Sequence, residues 1–127
     1  MDTSAWYAYV NRVDPDHAAV TRFLENFSGQ LITSNYIFDE LITLVRTRLG
    51  YSEALQVGAV LRNANIVRLE RVTSADEEAA WRLFRDRSDK TYSFTDCTSF
   101  VLMRRLSLSH ALATDEHFRQ EGFVVYP

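Results

Sequence analysis

The chain is predicted to fold as an α/β domain, a parallel sheet with helices on both faces. Short apolar runs of strand length alternate with longer segments of helical period. A length of 127 residues suits one domain with a core of its own. Glycine and proline are too sparse to mark a linker.

The elements follow in order. Ala5 to Val10 reads as a short helix, and Asp14-Pro15-Asp16 is a turn whose last residue can cap a helix from His17 to about Phe27. Gln30 to Thr33 is a strand after the Ser28-Gly29 break. From Asn35 to Leu49, the apolar residues Ile37, Leu41, Leu44, Val45 and Leu49 recur every three or four positions, so an amphipathic helix is expected to end at Gly50. Ser52 opens a further helix through about Asn63, and Ile66 to Leu69 is a second strand. Thr73 and Ser74 stand before Asp76 and Glu77 in the pattern of a capping box, starting a helix that carries Ala79, Ala80, Leu83 and Phe84. After the polar stretch Asp86 to Thr91, a helix from about Thr95 to Leu106 leads to a strand at Ala111 to Ala113. A short helix through Phe118 stops at Gly122, and Phe123 to Tyr126 forms the last strand.

Composition narrows the function classes. Apolar residues make up 46% and charged residues 24%, the profile of a globular protein rather than a disordered one. No apolar run reaches the ~20 residues of a membrane helix, and the N-terminus lacks a signal-peptide pattern, so a cytoplasmic location is expected. The single Cys97 cannot form an intramolecular disulfide. A formal charge of −3 does not announce a polyanion partner. Local clusters at Arg46 and Arg48, at Arg82, Arg85, Arg87 and Lys90, and at Arg104 and Arg105 can contact phosphate. Equally, they fit a genome that encodes arginine in place of lysine.

Chemistry in open α/β sheets gathers where strands run into helices. Asp2, Asp96 and Asp115 stand at such junctions, and Glu40 lies in the first turns of the long helix. Each alone reads as a cap or a solvated side chain. Together, at about 5 Å spacing and an effective dielectric near 20, each pair would repel by roughly 3 kcal/mol, so a cluster of them requires a cation. Carboxylate oxygens without a histidine or thiolate cage favour Mg²⁺ or Mn²⁺ over zinc. His17, His110 and His117 are scattered and read as surface or structural residues. Cys97 reads as packed, and Asp14-Pro15-Asp16 lies between helices rather than after a strand. Trp6, Tyr7, Tyr9, Phe23 and Phe27 have the spacing of core and dimer packing.

Four blocks carry a family resemblance. Asp2-Thr3-Ser4-Ala5, Thr33-Ser34-Asn35-Tyr36-Ile37-Phe38-Asp39-Glu40-Leu41, Tyr92-Ser93-Phe94-Thr95-Asp96-Cys97-Thr98-Ser99-Phe100 and Ala113-Thr114-Asp115-Glu116-His117-Phe118 resemble, in order, the acidic blocks of PIN domains, closest to VapC-type toxins. The resemblance implies a PIN-like open sheet of about four to five short strands. It also implies a Mg²⁺- or Mn²⁺-dependent endoribonuclease, the toxin of a toxin–antitoxin pair. In that reading Asp2, Glu40, Asp96 and Asp115 are the catalytic acids, and Asp2, Asp96 and Asp115 lie nearest the metal. Glu40 serves a second metal or a water held on the first. Thr3 and Thr114 orient the aspartates. The implied partners are an RNA substrate and a small antitoxin lying across the cleft, with the chain forming a homodimer and touching no membrane.

One departure stands out. In the family an apolar strand, central in the sheet, runs into the first aspartate, whereas only Met1 precedes Asp2 here. The first strand is therefore expected to be truncated or missing here, a wrongly assigned start or residues removed upstream being the favoured account; only if this start is the natural one does the sheet lose its middle. Restoring apolar residues upstream is expected to raise stability and activity. Two other readings stay open beside the nuclease: a catalytically weak PIN scaffold that binds RNA or protein, and, ranked last, a receiver-like signalling domain.

Overall fold

Strands and helices alternate through residues 1–127, all of which the computed structural model describes. The helices are α1 (Thr3–Val10), α2 (His17–Asn26), α3 (Asn35–Arg48), α4 (Tyr51–Leu61), α5 (Ser74–Asp86), α6 (Phe94–Arg105) and α7 (His117–Gln120). The strands are β1 (Leu31–Ser34), β2 (Val67–Glu70), β3 (His110–Leu112) and β4 (Val124–Tyr126). The α/β class and parallel pairing agree with expectation, and element ends move by one or two residues. No helix is long and apolar enough to cross a membrane.

Local chemistry sets these boundaries. Ser34 ends β1 and caps α3, its side chain accepting the Ile37 amide at 3.1 Å. Behind that cap, Ile37, Leu41 and Val45 bury one stripe of the helix. The capping box at the start of α5 is present as read, with Thr73 and Asp76 bonded reciprocally. Gly50, at φ 124°, makes the turn between α3 and α4 in a region closed to most side chains. Asp16 departs from the reading. It holds the N-cap position of α2 but makes no capping bond: its backbone is helical (φ −93°, ψ −2°) rather than extended as in a capping residue, within a turn that Asp14 Oδ1 closes by accepting the Asp16 amide at 2.9 Å.

The sheet differs more from expectation. It consists of two parallel pairs, β1 with β2 in the register Leu31↔Val67 to Ser34↔Glu70, and β3 with β4 from His110↔Val124 to Leu112↔Tyr126. Residues 1 and 2 lie between the pairs. The Met1 amino group donates to the Ile32 carbonyl at 2.6 Å, and the Asp2 amide donates to the Leu112 carbonyl at 2.9 Å. Thr33 Oγ1 donates to the Met1 carbonyl at 3.2 Å. The expected middle strand is thus reduced to a two-residue junction. A cavity of about 560 Å³ opens next to that junction, lined by Leu31 and Ile32 on one side and Ala111 and Leu112 on the other.

Two larger cores flank this junction. Trp6, Leu41, Val45, Leu61 and Val67 pack in one, and Tyr92, Phe100, Ala111 and Phe118 in the other. Trp6 belongs to the first core, as its spacing indicated. Phe100 meets Tyr92 and Phe118 edge-on, each at 4.9 Å between centroids, which fixes α6 against α7. Glu121, with a side chain only 4% exposed, accepts from Arg87 at 2.7 Å and Arg104 at 3.1 Å. It ties the chain after α7 to the end of α6 and to the residue that follows α5.

Candidate metal centre

Asp2 is built into the site by its cap. It is the N-cap of α1, and its Oδ2 accepts the Ser4 amide at 3.2 Å and the Ser4 hydroxyl at 2.7 Å. Ser4 Oγ in turn accepts the Thr114 amide at 3.0 Å, joining the first acidic block to the last. The other oxygen, Oδ1, is buried with no hydrogen-bond partner. Burial, and then the charges of Asp96 and Asp115, push the Asp2 carboxyl from 3.8 to about 7, against the opposing Ser4 bonds. A buried carboxylate oxygen without a donor is costly unless a cation meets it.

Asp96 arrives from α6, in the third position of a second capping box. Its Oδ2 accepts the Ser93 amide at 2.9 Å, and its own amide donates to Ser93 Oγ at 3.0 Å. Burial raises its pKa, the Ser93 amide and His117 oppose the rise, and Asp115 adds to it. Asp115 follows β3 in a tight turn, its Oδ1 accepting the His117 amide at 3.1 Å, with 37% of the side chain exposed. The cap roles weighed against chemistry for Asp2 and Asp96 are therefore real. Capping spends one oxygen of each and leaves the other.

Asp2, Asp96 and Asp115 share one electrostatic neighbourhood, since the charges of the latter two act on the first. They do not form a tight cage: no three His, Cys, Asp or Glu side chains stand close enough to grip an ion by themselves. Glu40 is half-buried in α3 and makes no hydrogen bond or ion pair. The donor set nonetheless suits Mg²⁺ or Mn²⁺, hard ions that keep several waters and need only a few carboxylate oxygens. The buried, unpartnered Asp2 Oδ1 is the oxygen that such an ion would meet.

The orienting residues also differ from expectation. The Thr3 hydroxyl is buried without a partner and holds neither aspartate. Ser4 does that work for Asp2, and Thr114 contributes through its backbone N–H. The signal for Ser4 was present, since a hydroxyl two residues after an N-cap aspartate is placed to bond it. His117, read as surface or structural, has Nδ1 at 2.8 Å from Asp96 Oδ2 and 3.9 Å from Asp115 Oδ1. His17 and His110 are remote from the acids, bonded instead to the Ala8 carbonyl and to Ser109. Cys97 is buried, and burial pushes its thiol up to about 11, the behaviour of a packing residue.

Several arginines are committed elsewhere. Arg105 reaches Asp76 at 2.9 Å, and Arg87 and Arg104 pair with Glu121. Arg46 and Arg48 lie over the rings of Tyr51 and Tyr7, each at 5.6 Å. Arg82, Arg85 and Lys90 keep no carboxylate partner apart from the neighbouring Asp89, which Lys90 reaches at 3.4 Å.

Residues 1–123 match the PIN domain. The chain is 36% identical over 124 residues to the 23S rRNA-specific endonuclease VapC20 of Mycobacterium tuberculosis, spanning 98% of this chain and 94% of that relative. It is 34% identical over 121 residues to Ribonuclease VapC26 of the same organism, spanning 93% of this chain and 87% of that one. The fold matches the crystal structure of Mycobacterium tuberculosis VapC20, described as a sarcin-ricin loop cleaving toxin. That match has a TM-score of 0.93 and 37% identity, covering 99% of this chain and 97% of that one.

Proposed function

The chain belongs to the PIN-domain family, and from that premise we propose that it is a divalent-metal-dependent endoribonuclease, the toxin half of a VapC-type toxin–antitoxin pair. The observation that carries the reading is Asp2. Its unpartnered, buried Oδ1 lies within reach of two further carboxylate charges, an arrangement that a cation relieves. Asp2, Asp96 and Asp115 would hold Mg²⁺ or Mn²⁺, and Glu40 would serve a second ion or a bound water. Thr114, through its amide, and Ser4 keep Asp2 in place. When bound, such an ion lowers the pKa of a water and offsets charge building on the phosphodiester. Each aspartate would hold the ion with the oxygen its cap leaves free.

The substrate we assign is a structured ribosomal RNA, following the 23S rRNA specificity that VapC20 carries in its name. The partners we assign are a small antitoxin and a second copy of the chain. An antitoxin side chain bearing positive charge would compete for the site, since the carboxylates attract either cation.

The test is incubation of the purified protein with total RNA and with isolated ribosomes, in Mn²⁺ or in chelator, beside Asp96→Asn. Cleavage mapped to a discrete 23S rRNA position, lost in chelator and in the variant, is expected. Cutting that persists in either would remove this mechanism, and RNA retained without cutting would favour the scaffold.

A further inference from the structure

We propose that His117 is a positioning residue that fixes the Asp96 carboxylate, so that one oxygen is held by the protein and the other is left for the metal. The inference rests on the metal-dependent reading above and adds to it a residue of the fourth acidic block that the sequence alone leaves as surface or structural.

The hydrogen bonds at Asp96 are one-sided. Oδ2 accepts both the Ser93 amide at 2.9 Å and His117 Nδ1 at 2.8 Å, while no hydrogen bond is made by Oδ1. The Ser93 amide belongs to the capping box and would be present in any helix so capped. His117 is different, because it comes from 21 residues away, at the start of α7, and supplies the second donor. A single amide leaves a carboxylate free to swing about its Cα–Cβ and Cβ–Cγ bonds. Two donors on the same oxygen fix both the rotamer and the face that the free oxygen presents.

The ring's own surroundings set which nitrogen donates. A carboxylate oxygen only accepts, so Nδ1 carries the hydrogen towards Asp96, while the Thr91 hydroxyl stands 3.3 Å from Nε2 on the other edge of the ring. Tyr92 packs edge-on against the ring at 5.5 Å, and only 24% of the side chain is exposed, so the ring has little room to turn. The His117 backbone amide independently holds Asp115 Oδ1 at 3.1 Å. One residue therefore places two acids, Asp96 through its ring and Asp115 through its main chain. A side-chain substitution removes only the first.

Substitutions distinguish a donor at this position from mere packing. His117→Asn puts an amide N–H close to where Nδ1 stands, His117→Gln puts one near Nε2, and His117→Ala provides neither. Mn²⁺ binding to the full chain is measured for each by titration calorimetry and by the spectrum of free Mn²⁺, with melting temperature as the control for folding. We expect Ala and Gln to weaken Mn²⁺ binding by about 10- to 100-fold, and Asn to restore it to within a few-fold of the original chain. If Asn binds as poorly as Ala, or if Ala binds as tightly as the original, the positioning role is wrong while the metal reading stands. If the ring itself ligates the ion, Gln and Asn fail alike and the proposal is overturned in favour of a histidine ligand. If the original chain binds no Mn²⁺, the functional reading falls and this inference falls with it. Should Ala not fold, the comparison of Asn with Gln decides the matter.

Discussion

Asp2→Asn should change how the metal-free protein responds to acid. Burial and neighbouring charge raise the Asp2 carboxyl from 3.8 to about 7. The folded chain therefore keeps a proton that the unfolded chain has released. Stability from this group is complete below 3.8 and is lost as pH rises towards about 7. At about 1.4 kcal/mol per pH unit, the loss between about pH 4.5 and about pH 6 is roughly 2 kcal/mol. Asp96, also raised, acts in the same direction. Asp76 and Glu121 are lowered by their arginine partners, so their effect falls below this window. The Met1 amino group, lowered from 8.0 to about 6 by burial, opposes the trend only above the window. Urea unfolding in chelator, followed by tryptophan fluorescence across that range, should show stability falling as pH rises. Asp2→Asn should flatten most of the slope and unfold later than the original chain at the upper end. Mn²⁺ should restore stability to the original chain and do little for the variant. A flat profile for the original chain, or an equal slope in the variant, would refute the account of Asp2 as a buried carboxylate awaiting a cation.

Three further outcomes follow from the packing. Appending four valine or isoleucine residues before Met1, to fill the space between β1 and β3, should raise stability by about 3 kcal/mol: each buried side chain contributes roughly 1.5–3, less about 1.5 for ordering a residue. Equal melting temperature and equal turnover with and without the extension would show that the cavity does not receive a strand. Ser4→Ala removes the hydroxyl that joins the Thr114 amide to Asp2 Oδ2, and should cost about 1–3 kcal/mol in chemical denaturation together with a measurable loss of Mn²⁺ affinity. Phe100→Ala empties the centre of the second core and should cost about 3–5 kcal/mol by urea unfolding; a loss below about 1 kcal/mol would mean that α6 and α7 are held by something else.

What the sequence made legible was local. Gly50 and Gly122 marked real turns, Thr73 and Asp76 formed the expected box, and the apolar stripe of α3 faces the core as its spacing requires. These features depend on neighbours within one helical turn, which is the range over which a pattern of residue types carries information. The contacts that build the site span much longer separations. Ser4 meets the Thr114 amide across 110 residues, and His117 meets Asp96 across 21. Nothing in the immediate surroundings of His117 distinguishes it from a surface histidine. Its role appears only when the edge-on packing of Phe100 and Phe118 brings α7 beside the start of α6. That Met1 and Asp2 would bond to both inner strands could not be read from residue types, because those bonds use only main-chain atoms and a threonine hydroxyl.

The arginine pair on Glu121 has a consequence for the acids it never touches. Helix α7 is one turn long, so His117 at its front and Glu121 just behind it move as a single rigid piece. Fastening the rear of that piece to two basic side chains sets the angle at which its front meets Asp96. Removing Arg87 or Arg104, well outside the cleft, would therefore leave the buried Glu121 short of a partner, lower the melting temperature, and free the front of α7 to shift against Asp96.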